Sequence, residues 1–292
     1  MPPLKNMWQS KLVLLLVLPA VASDVVLEVH WWVSQATPVA IWTIGLSSLL
    51  GIVAWKLHSA TTGGALTGAL ITAEMMFAST TVPYLPWQTS LIPILALLIL
   101  TSIATRVGRT EKQRLGTAES RKGRSAAQVA ANLGIAALAT TEIAQTMMLD
   151  THRFTNAALG PVILLSVGLA ALCEAAADTV SSELGQVLSG HPRMITTLRI
   201  AEPGTDGAMS LGGTLAGTAA ALLVAGAGTL ALDGGLAMLG IAFAGGVFGL
   251  FFDSLLGATL ERRGWLNNDA VNFLSTLSAA VFALVLLALA SR

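Results

Sequence analysis

Long apolar runs alternate with short polar breaks along this chain, and their lengths are those of a membrane protein. Runs at 38–55, 64–80, 88–105, 126–145, 157–177, 212–231, 235–256 and 270–290 each approach the length a helix needs to cross a bilayer. They predict an all-α fold, a polytopic transmembrane helical bundle of eight helices, or nine with a weaker run at 12–22. That weaker run follows Lys5 and Lys11 and is too short to span alone. It carries Ala20-Val21-Ala22, which resembles a signal-peptidase site. Residues 1–30 therefore read as a first helix or a signal-like segment, and 31–292 as one integral membrane domain. The breaks carry turn signals: Thr61-Thr62-Gly63-Gly64, Pro83 and Pro86, Asp233-Gly234-Gly235, and Asn267-Asn268-Asp269 as an N-cap.

Composition agrees. The chain is 54% hydrophobic and 11% charged, against about 25% charge in a soluble domain. Cys173 is the single cysteine, so no intrachain disulfide forms. The net charge of zero is silent, but its distribution is not. With nine helices, 14 of the 16 Lys and Arg fall in the connections of one side, leaving Arg153 and Arg292 on the other. The positive-inside rule puts the rich side in the cytoplasm, making this a protein of the inner or cytoplasmic membrane. Three polar connections gather there, at 106–125, 178–211 and 257–269, whereas 81–87 and 232–234 are too short to hold a site. The active face is expected to be cytoplasmic.

The chemistry-bearing residues follow that geometry. Glu174, Asp178 and Ser182 recur every fourth residue, on one helical stripe with alanines between them. Two acids one turn apart repel unless a cation or proton joins them. Gly245, Gly249, Asp253 and Gly257 are likewise four apart, so glycines turn Asp253 toward a neighbouring helix. Asp178 and Asp253 should lie at one depth, each followed by a hydroxyl, Thr179 or Ser254. They make a candidate pair for Mg²⁺, which takes one or two carboxylates plus waters and substrate phosphates. The plain alternative is a helix end turning polar as it leaves the bilayer.

Pro203 to Thr214 forms a polar loop, with Gly204, Thr205, Gly207 and Ser210, that opens a helix. Glycines let backbone N–H groups approach an anion at a helix N-terminus, although an ordinary turn and N-cap would use the same residues. Arg193, Thr196, Thr197 and Arg199 precede it and could hold phosphate oxygens. The basic loop at 106–124 could meet lipid headgroups. Arg124 and Asn132, which adjoin or enter the next apolar run, are its better functional candidates. Glu74 and Glu142 lie within runs and should face the interior, to bind an ion, carry protons or bond other helices. His58, His152 and His191 lack metal-ligand spacing, and no nucleophile elbow is present.

Together GRSAAQVAANLG, ADTVSSELG, PRMITT, EPGTDGAMSLGGTLAG and FDSLLGATLE resemble an integral membrane family long labelled a domain of unknown function. Phytyl-phosphate kinase of plants and cyanobacteria is its best understood class. More distantly, the chain looks like the CTP-using membrane enzymes phytol kinase, dolichol kinase and CDP-diacylglycerol synthase. The resemblance covers about residues 40–290. It implies Mg²⁺-dependent phosphoryl transfer from CTP to a prenyl monophosphate, phytyl or geranylgeranyl, giving the diphosphate. Under it, Asp178 and Glu183 match one acidic motif, and Arg193, Thr196 and Thr197 match PR-x-x-TT. Gly204, Thr205, Gly207 and Ser210 match PGT-x-G-x-x-S. Asp253, Ser254 and Gly257 match DS-x-x-G, and Arg124 and Asn132 match the basic loop and the next helix start. His191 and Arg199 stand where the pattern has lysines, Gly213 where it has a bulkier apolar residue, and Glu261 where it has glutamine.

The expected partners are the lipid bilayer, a prenyl monophosphate and a nucleoside triphosphate, with no nucleic acid; a homo-oligomer is compatible with the chain. A prenyl alcohol acceptor would need a base, Glu174 or Glu183. The other classes left open are an ion-coupled transporter using the acids within the runs and a noncatalytic scaffold.

Overall fold

A computed structural model describes residues 7–116, 123–150, 164–188 and 191–290. Lys5, His152, Arg153, Arg292, the basic stretch 117–122 and the start of the run at 157–177 lie outside them. Among the described residues the fold is nearly all-α. Eleven helices run in order: α1 (Met7–Gln35), α2 (Thr37–Lys56), α3 (Thr62–Ala78), α4 (Leu91–Arg106), α5 (Arg109–Leu115), α6 (Ala126–Thr140), α7 (Glu142–Asp150), α8 (Leu165–Leu188), α9 (Leu211–Ala231), α10 (Gly235–Leu256) and α11 (Asn268–Ala290). Two short strands, β1 (Arg193–Met194) and β2 (Ala208–Met209), pair antiparallel between α8 and α9. A π turn, Gly257–Glu261, extends α10. Five helices are long and apolar enough to cross a membrane: α1, α2, α9, α11, and α10 with its π turn.

The bundle is built around α8. Every residue from Leu165 to Ala177 is buried, as a helix apolar on all sides requires. α4, α6, α9, α10 and α11 all pack on it. Small residues set how closely they approach. A Cβ at Gly217 would meet the Ala177 carbonyl at 2.5 Å, and one at Gly213 would meet the Ser181 carbonyl at 2.6 Å. On the other flank a Cβ at Gly246 would meet Cys173 Cβ at 2.5 Å. Residues four apart on both helices therefore let backbones touch, and Gly213, a departure from the family pattern, is part of that seam.

Three expectations are corrected. The weak run at 12–22 lies inside a helix of 29 residues, long enough to span. Gln9 makes the difference: its amide donates to the Trp265 carbonyl at 2.8 Å and accepts from the Asn267 N–H at 2.8 Å. Ser10 donates to Asp269 at 2.6 Å, so α1 begins before its apolar stretch. The run at 126–145 is two helices. The Thr140 and Thr141 hydroxyls bond the carbonyls of Ala137 and Leu138, and Thr141 leaves helical geometry at ψ 147°. Glu142 therefore stands exposed in the first turn of α7, not within a span. Finally, α8 does not end at 177 but continues to Leu188, so Asp178 belongs to the middle of a helix and not to its end. The N-cap at 267 is as read: Asn267 Oδ1 accepts from the Ala270 N–H at 2.9 Å.

Polar connections collect at one end of the bundle. Thr61 N–H bonds the Arg124 carbonyl at 2.9 Å, Gly207 touches Ala258, and Gln9 reaches 265–267. The starts of α1 and α3, the approach to α6, the loop before α9 and the end of α10 thus meet on one face.

Candidate functional site

That face holds a cavity of about 370 Å³ between α6, α8, α10, α11 and the loop before α9. Eleven sequence-derived candidates line it: Arg124, Asn132, Asp178, Glu183, Gly204, Thr205, Gly207, Ser210, Asp253, Ser254 and Gly257. Asp178 and Asp253 come within hydrogen-bonding distance of each other. Glu174, one turn deeper and 1% exposed, does not line the cavity but supports it. Ser275 on α11 is fully buried within hydrogen-bonding reach of both Glu174 and Asp253. The acids can approach because Gly249 leaves room, since a Cβ there would collide with Glu174 Cγ. Oδ1 of Asp253 and Oε1 of Glu174 are buried without any hydrogen-bond partner, an arrangement that costs free energy unless something else satisfies them.

The Arg124 guanidinium lies within electrostatic reach of Asp178, and its backbone is fixed by the turn before α3. Arg124 N–H bonds the Ser59 carbonyl at 3.0 Å. The segment fits there because two neighbours are glycines: a Cβ at Gly123 would meet Ala60 N at 2.6 Å, and one at Gly64 would collide with the Arg124 carbonyl. Asn132 donates to the Gln128 carbonyl at 2.8 Å and accepts from the Asn272 amide at 3.3 Å.

The glycines of the loop do more than expose N–H groups. Gly204 and Gly207 have φ of 84° and 74°, conformations that glycine adopts without penalty. A Cβ at Gly207 would collide with Ala258 N, and one at Gly257 would meet Gly207 N at 2.9 Å. The loop is therefore seated backbone to backbone on the end of α10, next to Asp253. Ser210 caps α9 by accepting from Gly213 N–H at 3.1 Å and donates to the Gly185 carbonyl at 3.3 Å. Its hydroxyl is committed to the fold.

Two groups of candidates stand apart from the others. Arg193, Thr196, Thr197 and Arg199 do not line the cavity and are exposed; Arg193 donates to the Leu198 carbonyl at 3.0 Å. The β1–β2 pairing holds this stretch as a flap outside the site. Glu183 lines the cavity, but Lys112 binds it at 2.5 Å and Thr105 donates to it at 3.3 Å. Lys112 itself is 1% exposed, so this member of the basic loop is buried and not at headgroups.

Sequence reasoning missed Asn272, which lines the cavity with Asn268 one turn before it on α11. An Asn pair four apart at the mouth of an apolar run was the available signal. It also assigned no part in the site to Asp206 or Glu261, which line it too. Asp206 is partly exposed at the rim; burial raises its pKa above the usual carboxylate range, and the Arg262 guanidinium opposes that rise.

Charge decides what the cavity can accept. Among the described residues, Asp178, Asp206, Asp253, Glu261 and the neutralised Glu183 line it, with Arg124 the one Lys or Arg beside them. Such a cavity repels a bare polyphosphate and favours a cation-bearing one. Among the described residues no three His, Cys, Asp or Glu side chains converge to hold a metal unaided. Asp178 and Asp253, with their unpartnered oxygen, fit Mg²⁺ as partial ligands, the remainder coming from water and substrate.

Comparison with known proteins bears on the whole chain. An uncharacterized membrane protein of Methanocaldococcus jannaschii is 41% identical over 118 residues, 40% of this chain and 49% of that one. Another, of Synechocystis sp., is 33% identical over 209 residues, 68% of this chain and 74% of that one. Protein VTE6, chloroplastic, of Arabidopsis thaliana is 28% identical over 196 residues, 66% of this chain and 57% of that one. The chain therefore spans about half the length of the archaeal and plant relatives. No solved structure matches it. The family described as integral membrane protein DUF92 matches residues 45–280, from α2 into α11 and across every residue that lines the cavity. This chain belongs to the DUF92 family of integral membrane proteins.

Proposed function

We propose that the protein is a membrane phosphotransferase that moves the terminal phosphoryl group of a nucleoside triphosphate, CTP, onto a prenyl monophosphate at the cytoplasmic face. The family includes a phytyl-phosphate kinase, which supports this reaction class. The observation that carries the reading is the acidic cavity itself: two contacting carboxylates beside one arginine and a glycine loop at a helix start.

In the reaction, an oxygen of the acceptor phosphate attacks the terminal phosphorus, the bond to the bridging oxygen breaks, and the nucleoside diphosphate leaves. The acceptor is already an anion, so no side chain must remove a proton. That fits a site whose two candidate bases are otherwise engaged, Glu183 by Lys112 and Glu174 beneath the floor. It favours the monophosphate over an alcohol acceptor. Mg²⁺ held by Asp178 and Asp253 would neutralise charge on the transferred group. Arg124 offers planar donors to a phosphate, while Asn132 and Asn272 orient each other at the wall. Glu174 is a positioning residue, set one turn beneath Asp178 with Ser275 close to both it and Asp253. In the loop 203–210 the Thr205 and Ala208 N–H groups bond within the loop, so the N–H groups of Gly204 and Gly207 are the ones proposed to meet phosphate oxygens.

The test is direct. Purified protein given geranylgeranyl or phytyl monophosphate, CTP and Mg²⁺ should yield the diphosphate by mass spectrometry, and EDTA should stop it. Absence of product with every common nucleoside triphosphate would overturn the reading. Substrate uptake by nucleotide-free proteoliposomes would instead establish a transporter.

A further inference from the structure

Arg124 and Asn132 do not only face the polar cavity. They also close the end of a second, apolar groove lined by α2, α3, α4, α6 and α8. Its walls include Gly51 and Ala54 of α2, Gly68 of α3, Leu97 of α4 and Leu133 of α6, and Ala175 of α8 forms part of the floor, one residue after Glu174. It exists because sequence neighbours do not pack. α3 lies against α2 and α6, α4 lies against α8 and α9, and α3 and α4 hardly touch. The connection between α3 and α4 runs from Ser79 to Ser90 and is tied at its base, where Ser90 N–H bonds the Ser79 hydroxyl at 2.9 Å. The cleft is thus a fixed separation of two helices.

The groove has almost no polar demand. Thr72 returns its hydroxyl to the Gly68 carbonyl at 2.7 Å, and Gly68 leaves the wall open, with Val129 Cγ1 at 3.8 Å the nearest atom to any Cβ placed there. An unpartnered apolar cleft within a bilayer needs no occupant by itself. This one shares Arg124 and Asn132 with the acidic cavity, so an apolar body and a polar head meet at those two residues.

We infer that the groove between α3 and α4 seats the hydrocarbon tail of the acceptor, a flexible chain ending in a phosphate monoester, with its phosphate at Arg124 and Asn132 and its tail running between the helices. The inference rests on the proposed phosphotransfer for the tail's identity, not for the groove's existence. Substrate then enters sideways from the bilayer, and the nucleotide enters from the polar face. Gly68 sets how much chain the groove admits, because any side chain there projects into it.

Two measurements separate this from the activity itself. In the first, a geranylgeranyl monophosphate carrying a diazirine near its tail end is photolysed with the wild-type protein, and labelled peptides are located by mass spectrometry. Label on 50–72, 94–98 or 129–133 is the expected result, and label confined to α9, α10 or α11 overturns the groove whether or not the protein turns over. In the second, Gly68→Ala and Gly68→Leu are compared for geranylgeranyl against dimethylallyl monophosphate. The ratio of kcat/KM, long chain over short, should fall stepwise, by about tenfold or more for leucine. An unchanged ratio in both variants, at wild-type melting temperature, also overturns it. If no acceptor is phosphorylated at all, the phosphotransfer reading fails and the labelling pattern alone decides the groove.

Discussion

Two sets of carboxylates are sunk into this bundle, and the protein treats them differently. At the polar face Glu174, Asp178 and Asp253 come together from α8 and α10, with Ser275 between Glu174 and Asp253, and open on a cavity with Arg124 at its wall. Toward the other end, Asp24 and Glu28 of α1 face Glu74 of α3. Glu74 is fully buried and within hydrogen-bonding distance of Asp24, with no other group bonded to its oxygens, and none of the three lines either cavity described above. Asp24 serves the fold, since its carboxylate accepts the Glu142 N–H at 3.2 Å and so caps α7. Burial of an acid in a membrane helix therefore does not mark a reaction site by itself. What separates the sets is access, a nearby cation and a neighbouring glycine loop at a helix start.

The sharpest way to break this comparison is to neutralise one acid of each set. Asp178→Asn and Asp253→Asn should each lower turnover by about a thousandfold, while Glu74→Gln stays within about twofold of wild type because no reacting group meets it. Equal losses in a single kinetic assay would erase the distinction. The next largest effect concerns stability. Lys112→Met leaves Glu183 charged and unpaired, at about 3–5 kcal/mol, and Glu183→Leu in the same chain should return part of it. Thermal melts in detergent read both. Gly207→Ala forces a residue at φ 74° and a Cβ against Ala258 N, at about 1–3 kcal/mol. It should raise the KM for nucleotide more than it lowers kcat. At the other end, Asp24→Ala should cost about 1 kcal/mol through the lost cap without altering KM.

The smallest effect is a pH dependence at the rim. The pKa of Asp206 is raised on folding. Its contribution to stability is therefore full below the ordinary carboxylate pKa and is lost as pH rises through the folded value. Asp206→Asn should flatten the melting temperature across that acidic window, leaving it unchanged below the window and raising it slightly near neutrality. A variant that instead steepens the profile would mean that Arg262 outweighs burial.

Much of this was legible in the residues. The stripe Glu174, Asp178, Ser182 and the spacing Gly249, Asp253, Gly257 put the acids on inward faces because a helix repeats its direction about every fourth residue. The length of α8 was not legible, because beyond Ala177 its residues turn polar. They remain helical where Ser181 and Gly185 pack on α9. The break at Thr141 was hidden as well, since threonine hydroxyls that bond their own helix leave no mark in hydropathy. Lys112 was misjudged because its partner is 71 residues away, and nothing local distinguishes it from the lysines that meet water. The flap with Arg193 and Thr196 shows the limit of sequence proximity: both precede the glycine loop, yet they are exposed and do not line the cavity.

The amide of Gln9 leads to one more point. It reads the backbone at Trp265 and Asn267, so α1 completes its contacts only when the connection between α10 and α11 is in place. Insertion must therefore hold α1 with that donor and acceptor unmet until α10 and the turn after it are in place.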